Sequence, residues 1–455
     1  MDTIAEKLVR NISETTYDKL PAEVVSETKK FILDTVGVGL AGAREPGCRE
    51  AVDVVKKWSA NDAGSTIMYY GGKVSPHEAA FANSVLMHAL DFDDTLDSSA
   101  IHTHVSALPA ALALAEARGK VGGKELITAV ALGVDVTCRI ASAITTPLSW
   151  IRTATCGSFG AAAAGAKTLG MREHEVLNTL GIVYSQTAGN AQCLVDGGLV
   201  KRMQPGFSAR SAVLSTALAS KGVTGATNIF EGEYGFYNLY ERGKVTAESA
   251  TENLGDHFGV MDLSIKPYPS CRMTHASIDA ALELRDSQSI DPTAIAEILV
   301  YGSKMVSDMV GTPFEIRTNP QVDAQFSIPY TVAVALTRGK VLLGDFSSDT
   351  ITKGSSVLEL AKKIKVVIDP KLPPNDISSA NMTIRMVSGE TLSSRVDGLK
   401  GSPSKPMSFD ECAGKFRNCL EYSGKESLIE NADTIIDLLF NLETRKDVGE
   451  LFDVL

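Results

Sequence analysis

The chain has 455 residues, of which 44% are hydrophobic and 22% are charged, and its formal net charge at pH 7 is −11. The length predicts two or more domains, and the composition is ordinary for a globular protein. The acidic balance and the lack of a basic run argue against nucleic acids and membranes as partners.

The seven cysteines are odd in number and form no C-x-x-C pair, which favours a reducing compartment over a disulfide framework or a zinc ribbon. The first residues, MDTIAEKLVRNI, predict an amphipathic helix without the apolar core of a signal peptide. No apolar run reaches the ~18 residues that cross a bilayer. We therefore expect a soluble cytoplasmic protein.

Up to about residue 250 the sequence predicts one helix after another, without alternating strands. Most segments are rich in Ala and Gly, which allows close packing of buried helices. They are residues 23–41, 107–118, 124–143, 158–169, 174–190 and 208–221. The run from Gly160 to Thr168 also resembles a phosphate-binding loop, but its lysine stands one position late and no strand precedes it, so a packed helix is the better interpretation.

The pattern changes near Lys266. Strands are predicted at 294–301 and 364–369, a hairpin at 382–396, and helices at about 274–285, 326–337 and 355–363. After a linker at 398–406, Ser408 is predicted to cap a helix at 409–421, and another follows at 431–442. The predicted fold is mostly α with an α+β second domain: a large helical domain from residues 1–262 and 401–455, with an inserted α+β lid domain at 263–400.

The segment from His88 to Thr95 concentrates acid/base groups. Its three aspartates would repel each other if buried, so the segment is expected to line a polar site, although an acidic, solvated helix end is the alternative. On a helix, His88, Asp91 and Thr95 would share one face. His102 and His104 follow and could hold a metal ion with nearby aspartates, but such pairs are common by chance in loops, and no metal site is predicted.

Cations are concentrated in two later segments. Lys201, Arg202 and Arg210 flank a Pro-Gly turn predicted to open a helix near Ser208, which suits a bound carboxylate or, alternatively, a basic surface turn. In the second segment, Thr274 is predicted to cap a helix that begins at His275, where the helix dipole favours a neutral imidazole. A purely structural histidine is the alternative there. Tyr330 offers a phenol in a later helix, or is a buried tyrosine with one hydrogen bond.

Taken together, these segments resemble the MmgE/PrpD family. The matching strings run in family order over almost the whole chain. They are HALDFDDT (88–95), THVSALPAALALAE (103–116), GSFGAAAAGAKTLGM (157–171), VKRMQPGFSARS (200–211), FEGEYGFY (230–237), KPYPSCRMTHASIDAAL (266–282) and DAQFSIPYTVAVAL (323–336).

The resemblance implies a helical domain with an α+β lid, usually a homodimer, that works without metal or organic cofactor. The family includes 2-methylcitrate dehydratase, cis-aconitate decarboxylase and iminodisuccinate epimerase. Two departures from its pattern matter. His104-Val-Ser stands where the family has His-Pro-Ser, and Ile151 stands where its dehydratases and decarboxylases often carry histidine. Arg152, next in sequence, would be an added carboxylate clamp.

The resemblance implies a lyase that transfers a proton α to a carboxylate of a small di- or tricarboxylate, of 2-methylcitrate-dehydratase type. An epimerase, a decarboxylase or a non-catalytic carboxylate binder are the alternatives. The expected catalytic residues are His104, Lys201, His275, Asp91 and Tyr330. The expected substrate-binding residues are Thr95, Lys266, Arg202, Arg272 and Arg152.

Overall fold

The structure is a computed structural model that describes residues 2–59, 64–147, 149–317 and 319–455. Met1, the first residue of the predicted N-terminal helix, lies outside them. The chain divides into two compact units, unit 1 from Met1–Ile265 with Ser408–Leu455, and unit 2 from Lys266–Met407. The divisions fall at 265/266 and 407/408, whereas the sequence predicted 262/263 and 400/401.

The first part of unit 1 is helical apart from one two-stranded antiparallel ribbon, β1 (Ser65–Thr66) with β2 (Lys73–Val74). The helices are α1 (Ile4–Glu14), α2 (Ala22–Gly42), α3 (Cys48–Trp58), α4 (Pro76–His88), α5 (His104–Arg118), α6 (Gly123–Ser142), α7 (Arg152–Thr168), α8 (Glu173–Tyr184), α9 (Gln192–Asp196), α10 (Gln204–Ser220) and α11 (Phe236–Glu241).

Small residues let the central helices approach closely. Gly160 of α7 packs against Gly133 and Thr137 of α6 so tightly that a side chain at position 160 would clash with both. The run from Gly160 to Thr168 is therefore part of a buried packed helix, as the sequence predicted, and not a phosphate-binding loop.

Several helix ends differ from the prediction. Helix α7 begins at Arg152 and α10 at Gln204, both earlier than predicted. Pro205 occupies the first turn of α10, where its missing N–H costs nothing, so it lies inside the helix instead of preceding it. Helix α8 ends at Tyr184, because the chain turns before Gly189, whose φ of 146° no helix allows.

Unit 2 contains a four-stranded sheet in the order β4-β3-β5-β6, in which only β3 and β4 run parallel. Its strands are β3 (Ile295–Gly302), β4 (Ile364–Ile368), β5 (Ser379–Met386) and β6 (Thr391–Asp397). Its helices are α12 (His275–Gln288), α13 (Lys304–Val310), α14 (Pro320–Gln325), α15 (Ile328–Arg338), α16 (Ser348–Lys353) and α17 (Ser355–Ala361). The predicted hairpin is confirmed, with Gly389 in its turn at a φ of 92°.

The core of unit 2 lies between the sheet and its helices. Alternate sheet residues such as Ile298, Val300 and Met382 are buried with α12 and α15, which fits the period of two along a strand. This arrangement confirms the predicted α+β character of the inserted part and the mostly helical character of the whole.

After unit 2 the chain returns to unit 1 with α18 (Phe409–Ser423), α19 (Glu426–Glu430) and α20 (Ala432–Phe440). The predicted cap is confirmed: Ser408 accepts from the backbone N–H of Glu411, and the Glu411 side chain accepts from the N–H of Ser408. Helix α18 packs along α2, so both ends of the chain contribute to one core. None of the described helices is long and apolar enough to cross a lipid bilayer.

Candidate active site

The acidic segment is a loop and not a continuing helix. Helix α4 ends at His88, and Asp91 adopts the left-handed region with a φ of 53°. Thr95 is held by two backbone hydrogen bonds with Ser264, of 2.9 and 2.8 Å. The predicted helical face shared by His88, Asp91 and Thr95 is therefore wrong, because the helix stops before the second of them.

A compact group of side chains surrounds this loop, and we call it the His88 cluster. It consists of His88, Asp91, Asp93, His102 and Lys201. One carboxylate oxygen, Oδ2 of Asp93, lies 2.9 Å from Nδ1 of His88 and 2.9 Å from Nδ1 of His102. Nε2 of His102 lies 3.4 Å from Oδ1 of Asp91. Two imidazoles thus share one buried carboxylate.

Lys201 brings a cation to the cluster from the 3-10 turn Leu199–Met203, immediately before α10. Its Nζ lies 3.0 Å from Nε2 of His88 and donates to Oδ1 of Asp91 at 2.9 Å. An ammonium can only donate, so Nε2 of His88 accepts, and the single proton of this imidazole is assigned to Nδ1, which faces Asp93.

The electrostatics fix the charge states inside the cluster. Burial, with the nearby charge of Lys201, lowers the pKa of His88 to about 4, so this imidazole is neutral near pH 7. Burial by itself would raise the pKa of Asp93, but His102 and His88 outweigh it and hold that pKa well below the usual range. Asp93 is therefore an anion that lies between the two imidazoles, with Nδ1 of His88 and Nδ1 of His102 each 2.9 Å from its Oδ2.

Three members of the cluster reach solvent and two do not. The side chains of His88 and Asp93 have no exposed surface. Those of His102, Lys201 and Asp91 are 12%, 26% and 41% exposed. A substrate arriving from solvent would meet these three groups, an acid/base, a cation and an anion.

Asp94, the third aspartate, has a structural task. It accepts from the backbone N–H groups of Thr103 and His104, at 2.8 and 3.1 Å, and so satisfies the start of α5. Burial would raise the pKa of Asp94, but the adjacent His104 outweighs it and lowers that pKa. The close spacing of the aspartates is tolerated because each faces a different set of partners.

His104, the predicted catalytic histidine, is fully buried as the first residue of α5. Its ring stacks on Phe31 with centroids 5.1 Å apart, and Nδ1 lies 3.2 Å from Oγ1 of Thr103. The structure therefore places His104 in the core and brings His102, which the sequence suggested only as a possible metal ligand, into the His88 cluster. The sequence contained evidence for the burial of His104. Helix α5 is buried from His104 through Ala115, so extending the predicted helix by one turn towards its N-terminus would have placed His104 in the interior.

The two predicted arginines of unit 1 point away from Lys201. Arg202 donates to the carbonyl oxygen of Pro46 at 2.9 Å, before α3. Arg152 donates to the carbonyl oxygen of Thr146 at 2.6 Å, and its Nη2 lies 3.6 Å from a carboxylate oxygen of the buried Glu241. Both guanidinium groups have internal partners, which accounts for their orientation.

The predicted residues of unit 2 fall into two places. Nη1 of Arg272 lies 3.1 Å from Nδ1 of His275, whose Nε2 lies 3.2 Å from the carbonyl oxygen of Ser270. His275 is fully buried, and Lys266 is 4% exposed. Thr274 is the N-cap residue of α12 and the helix begins at His275, as predicted, but the Thr274 side chain makes no cap hydrogen bond: a 3-10 turn leads directly into α12, and the Thr274 hydroxyl donates to the carbonyl oxygen of Cys271.

Tyr330 lies elsewhere in the core of unit 2. Its hydroxyl donates to the carbonyl oxygen of Asp345 at 2.6 Å, and its ring packs against Phe314 and Phe346. Burial raises the pKa of Tyr330 above its usual value. This environment matches the alternative of a buried tyrosine with one hydrogen bond.

Four members of the cluster, His88, Asp91, Asp93 and His102, offer possible metal-ligand atoms within 4.8 Å of one another. Lys201 Nζ already contacts two of the four, His88 Nε2 and Asp91 Oδ1. The ammonium of Lys201 therefore already places a positive charge beside two of these four residues.

Comparison with known proteins adds the family. The MmgE/PrpD N-terminal domain matches residues 6–248, and the MmgE/PrpD C-terminal domain matches residues 268–440. The chain belongs to the MmgE/PrpD family. This confirms the membership predicted from the ordered strings.

Several relatives of this MmgE/PrpD protein match along most of their length. It is 27% identical to a cis-aconitate decarboxylase-like protein of Aspergillus oryzae, over 98% of this chain and 96% of the relative. It is 26% identical to cis-aconitate decarboxylase of Homo sapiens, over 100% and 95%. It is 21% identical to 2-methylcitrate dehydratase of Cupriavidus necator, over 83% and 81%. These named decarboxylases and dehydratase are lyases.

Proposed function

We propose that this MmgE/PrpD protein is a lyase that removes a proton from the carbon α to a carboxylate of a small di- or tricarboxylate, without metal or organic cofactor. The observation that carries the proposal is the shared contact of Asp93 with His88 and His102, beside the ammonium of Lys201. This contact supplies a base, its orienting carboxylate and a cation within one small group of side chains.

His102 is the base in this proposal. Nε2 of His102 takes the proton from the substrate carbon, and the electron pair of the broken C–H bond moves onto the carboxylate oxygens. The imidazolium that forms carries its two N–H groups near Asp93 and Asp91, whose anionic charges stabilise it. A histidine between two aspartates suits this role, because both carboxylates favour its protonated form.

Lys201 stabilises the negative charge that develops on the substrate carboxylate. An ammonium has three donors, and two of them face His88 and Asp91. The third N–H of Lys201 can donate to a carboxylate oxygen of the substrate. A positioned cation there lowers the barrier most if the negative charge on the substrate appears only in the transition state. His88, neutral and buried, holds the ammonium in place.

The carbanion can then expel a β-hydroxyl, which takes the proton that Nε2 of His102 has just accepted and leaves as water, so that a C=C bond forms and His102 is neutral again. This hydro-lyase outcome is our first proposal. A carboxy-lyase is the second candidate, because the cis-aconitate decarboxylase relatives match along nearly the whole chain. In that reaction His102 would start as the imidazolium: loss of CO₂ leaves the bonding electron pair on the substrate carbon, this carbanion takes the proton from Nε2 of His102, and solvent returns a proton to His102.

Nuclear magnetic resonance in heavy water tests both proposals on one panel of di- and tricarboxylates that includes 2-methylcitrate and cis-aconitate. Dehydration yields an unsaturated product without loss of carbon, and decarboxylation yields CO₂ and deuterium in the product. Exchange of an α-hydrogen without either product would instead indicate an epimerase. A panel that shows no exchange and no product would contradict the proposed function.

We also propose that the protein forms homodimers. Large apolar side chains are exposed around the 3-10 turn that carries Lys201, and monomers rarely expose contiguous patches of this kind. They are Leu194, Val195, Leu199, Phe207 and Leu214. Light scattering should give twice the monomer mass, and Val195→Glu with Phe207→Glu should reduce it to the monomer mass.

A further inference from the structure

Lys415, on helix α18, contacts the acidic loop that follows His88. Its Nζ donates to the carbonyl oxygen of Phe92 at 2.8 Å and lies 3.7 Å from the centroid of the Phe92 ring. Phe92 stands between Asp91 and Asp93, so a single lysine holds the backbone between two members of the His88 cluster. Lys415 contacts the loop from within the protein, since its side chain is only 5% exposed.

Asp34 of α2 holds this lysine in turn. Its carboxylate lies 2.6 Å from Nζ of Lys415, and its side chain is 1% exposed. Burial raises the pKa of Asp34 to about 6, although the ammonium of Lys415 opposes that shift. A buried ion pair stabilises a fold little better than apolar residues of the same size, so stability alone is a weak reason for this pair.

The loop requires such support for a physical reason. Its backbone has left the helix at His88, and Asp91 adopts a φ of 53°, which is unfavourable for a residue with a side chain. A buried carbonyl group needs a hydrogen-bond donor. The donor to the carbonyl of Phe92 is the side chain of Lys415, which lies 323 positions later in the chain. Phe92 lies between Asp91 and Asp93 in sequence, so this contact anchors the backbone that carries both carboxylates.

We propose that Lys415, held by Asp34, is a positioning residue that fixes Phe92 and thereby sets the geometry of Asp91, Asp93 and His102. It touches no reacting atom. Its catalytic consequence rests on the proposed function, whereas its effect on the two histidines does not. The segment after unit 2 thus completes the geometry of the site.

The decisive variant is the double substitution Asp34→Asn with Lys415→Met. It removes both buried charges, so that neither is left unpaired, and the melting temperature should stay near that of the wild type. The Phe92 carbonyl nevertheless loses its ammonium donor. We expect kcat to fall about 10- to 100-fold with little change in KM, as for a misplaced catalytic group. Lys415→Arg keeps a cationic donor and should recover part of the loss.

Two comparisons keep this experiment falsifiable. Asp135→Asn disrupts another buried ion pair of unit 1, with Arg139, which does not contact the His88 cluster, and it should lower the melting temperature while kcat stays unchanged. If the double variant has the kcat of the wild type, the pair is only structural and the proposal is overturned.

A readout without substrate separates this proposal from the proposed function. In imidazole spectra of the double variant, the ¹⁵N shifts of His88 and His102 should move, and those of the surface residues His174 and His257 should stay. Unmoved signals of His88 and His102 would overturn the positioning role even if the enzyme were active on a carboxylate. Moved signals would support it even if every carboxylate on the panel were inert.

Discussion

Nζ of Lys201 lies 3.0 Å from Nε2 of His88, a residue 113 positions earlier in the chain. This contact makes His88 an acceptor towards Lys201 and a donor towards Asp93, and so connects the cation to the carboxylate that faces His102.

Replacing Lys201 by Met should raise the pKa of His88. The positive charge of Lys201 disfavours the imidazolium and, after burial, contributes most to the low value of about 4. Without that charge the pKa should move up towards the usual value for histidine but stay below it, because burial persists. An NMR titration of the His88 imidazole measures this, with the exposed His174 as the unchanged control. A His88 pKa that does not move, or that falls, would contradict the contact.

His102→Asn should reduce turnover at least ~100-fold at an unchanged melting temperature, because it removes the acid/base group that faces solvent. His104→Asn should mainly lower the melting temperature, because the His104 ring stacks on Phe31 in the core. Kinetics and melting curves on both variants decide between them. Lost turnover in a stable His104→Asn protein, with an active His102→Asn protein, would support the catalytic role that the sequence predicts for His104 and contradict the one proposed for His102.

His275→Ala should also cost at least ~100-fold in turnover, on the scale of a general acid or base. The family resemblance implies this role, and Arg272 and Ser270 hold both ring nitrogens of His275. His174→Ala, on the exposed start of α8, is the matched control and should be nearly silent. Equal losses in the two variants at equal melting temperatures would show that the effect does not come from a site at His275.

Dialysis against a strong chelator should leave activity unchanged. The reason is that the ammonium of Lys201 already contacts two of the four possible ligand residues of the His88 cluster. Activity before and after dialysis is the measurement, with metal content followed by mass spectrometry. Activity that disappears and returns with zinc, iron or manganese would mean that a metal ion is required.

Arg152→Met should destabilise the protein by about 3 kcal/mol, because it leaves the buried carboxylate of Glu241 without its cation. KM should change little, since the guanidinium faces Glu241 and Thr146. Ile151→Val, at the adjacent buried position, is the control and should cost only about 1 kcal/mol. Denaturant unfolding and steady-state kinetics measure both quantities. A large increase in KM at unchanged stability would return Arg152 to the substrate-binding role predicted from the sequence.

The sequence by itself determined the family, the mostly helical fold and the change of character near Lys266. These features depend on short-range patterns, such as the apolar period of a helix, the alternation along β5 and the Ser408 cap, and each is written in a few neighbouring residues. The sequence also directed attention to the acidic segment and to Lys201, because clustered charges stand out between apolar helical segments.

Only the tertiary structure decided which of His102 and His104 joins the His88 cluster. His102 and His104 are two positions apart and chemically identical, and the choice depends on α5 beginning at His104 and packing against Phe31 of α2. Likewise, nothing near Lys415 in sequence indicates that its ammonium donates to the carbonyl of Phe92. Such pairings arise from helices that meet in the folded chain, and their energies depend on burial, which a local pattern does not specify.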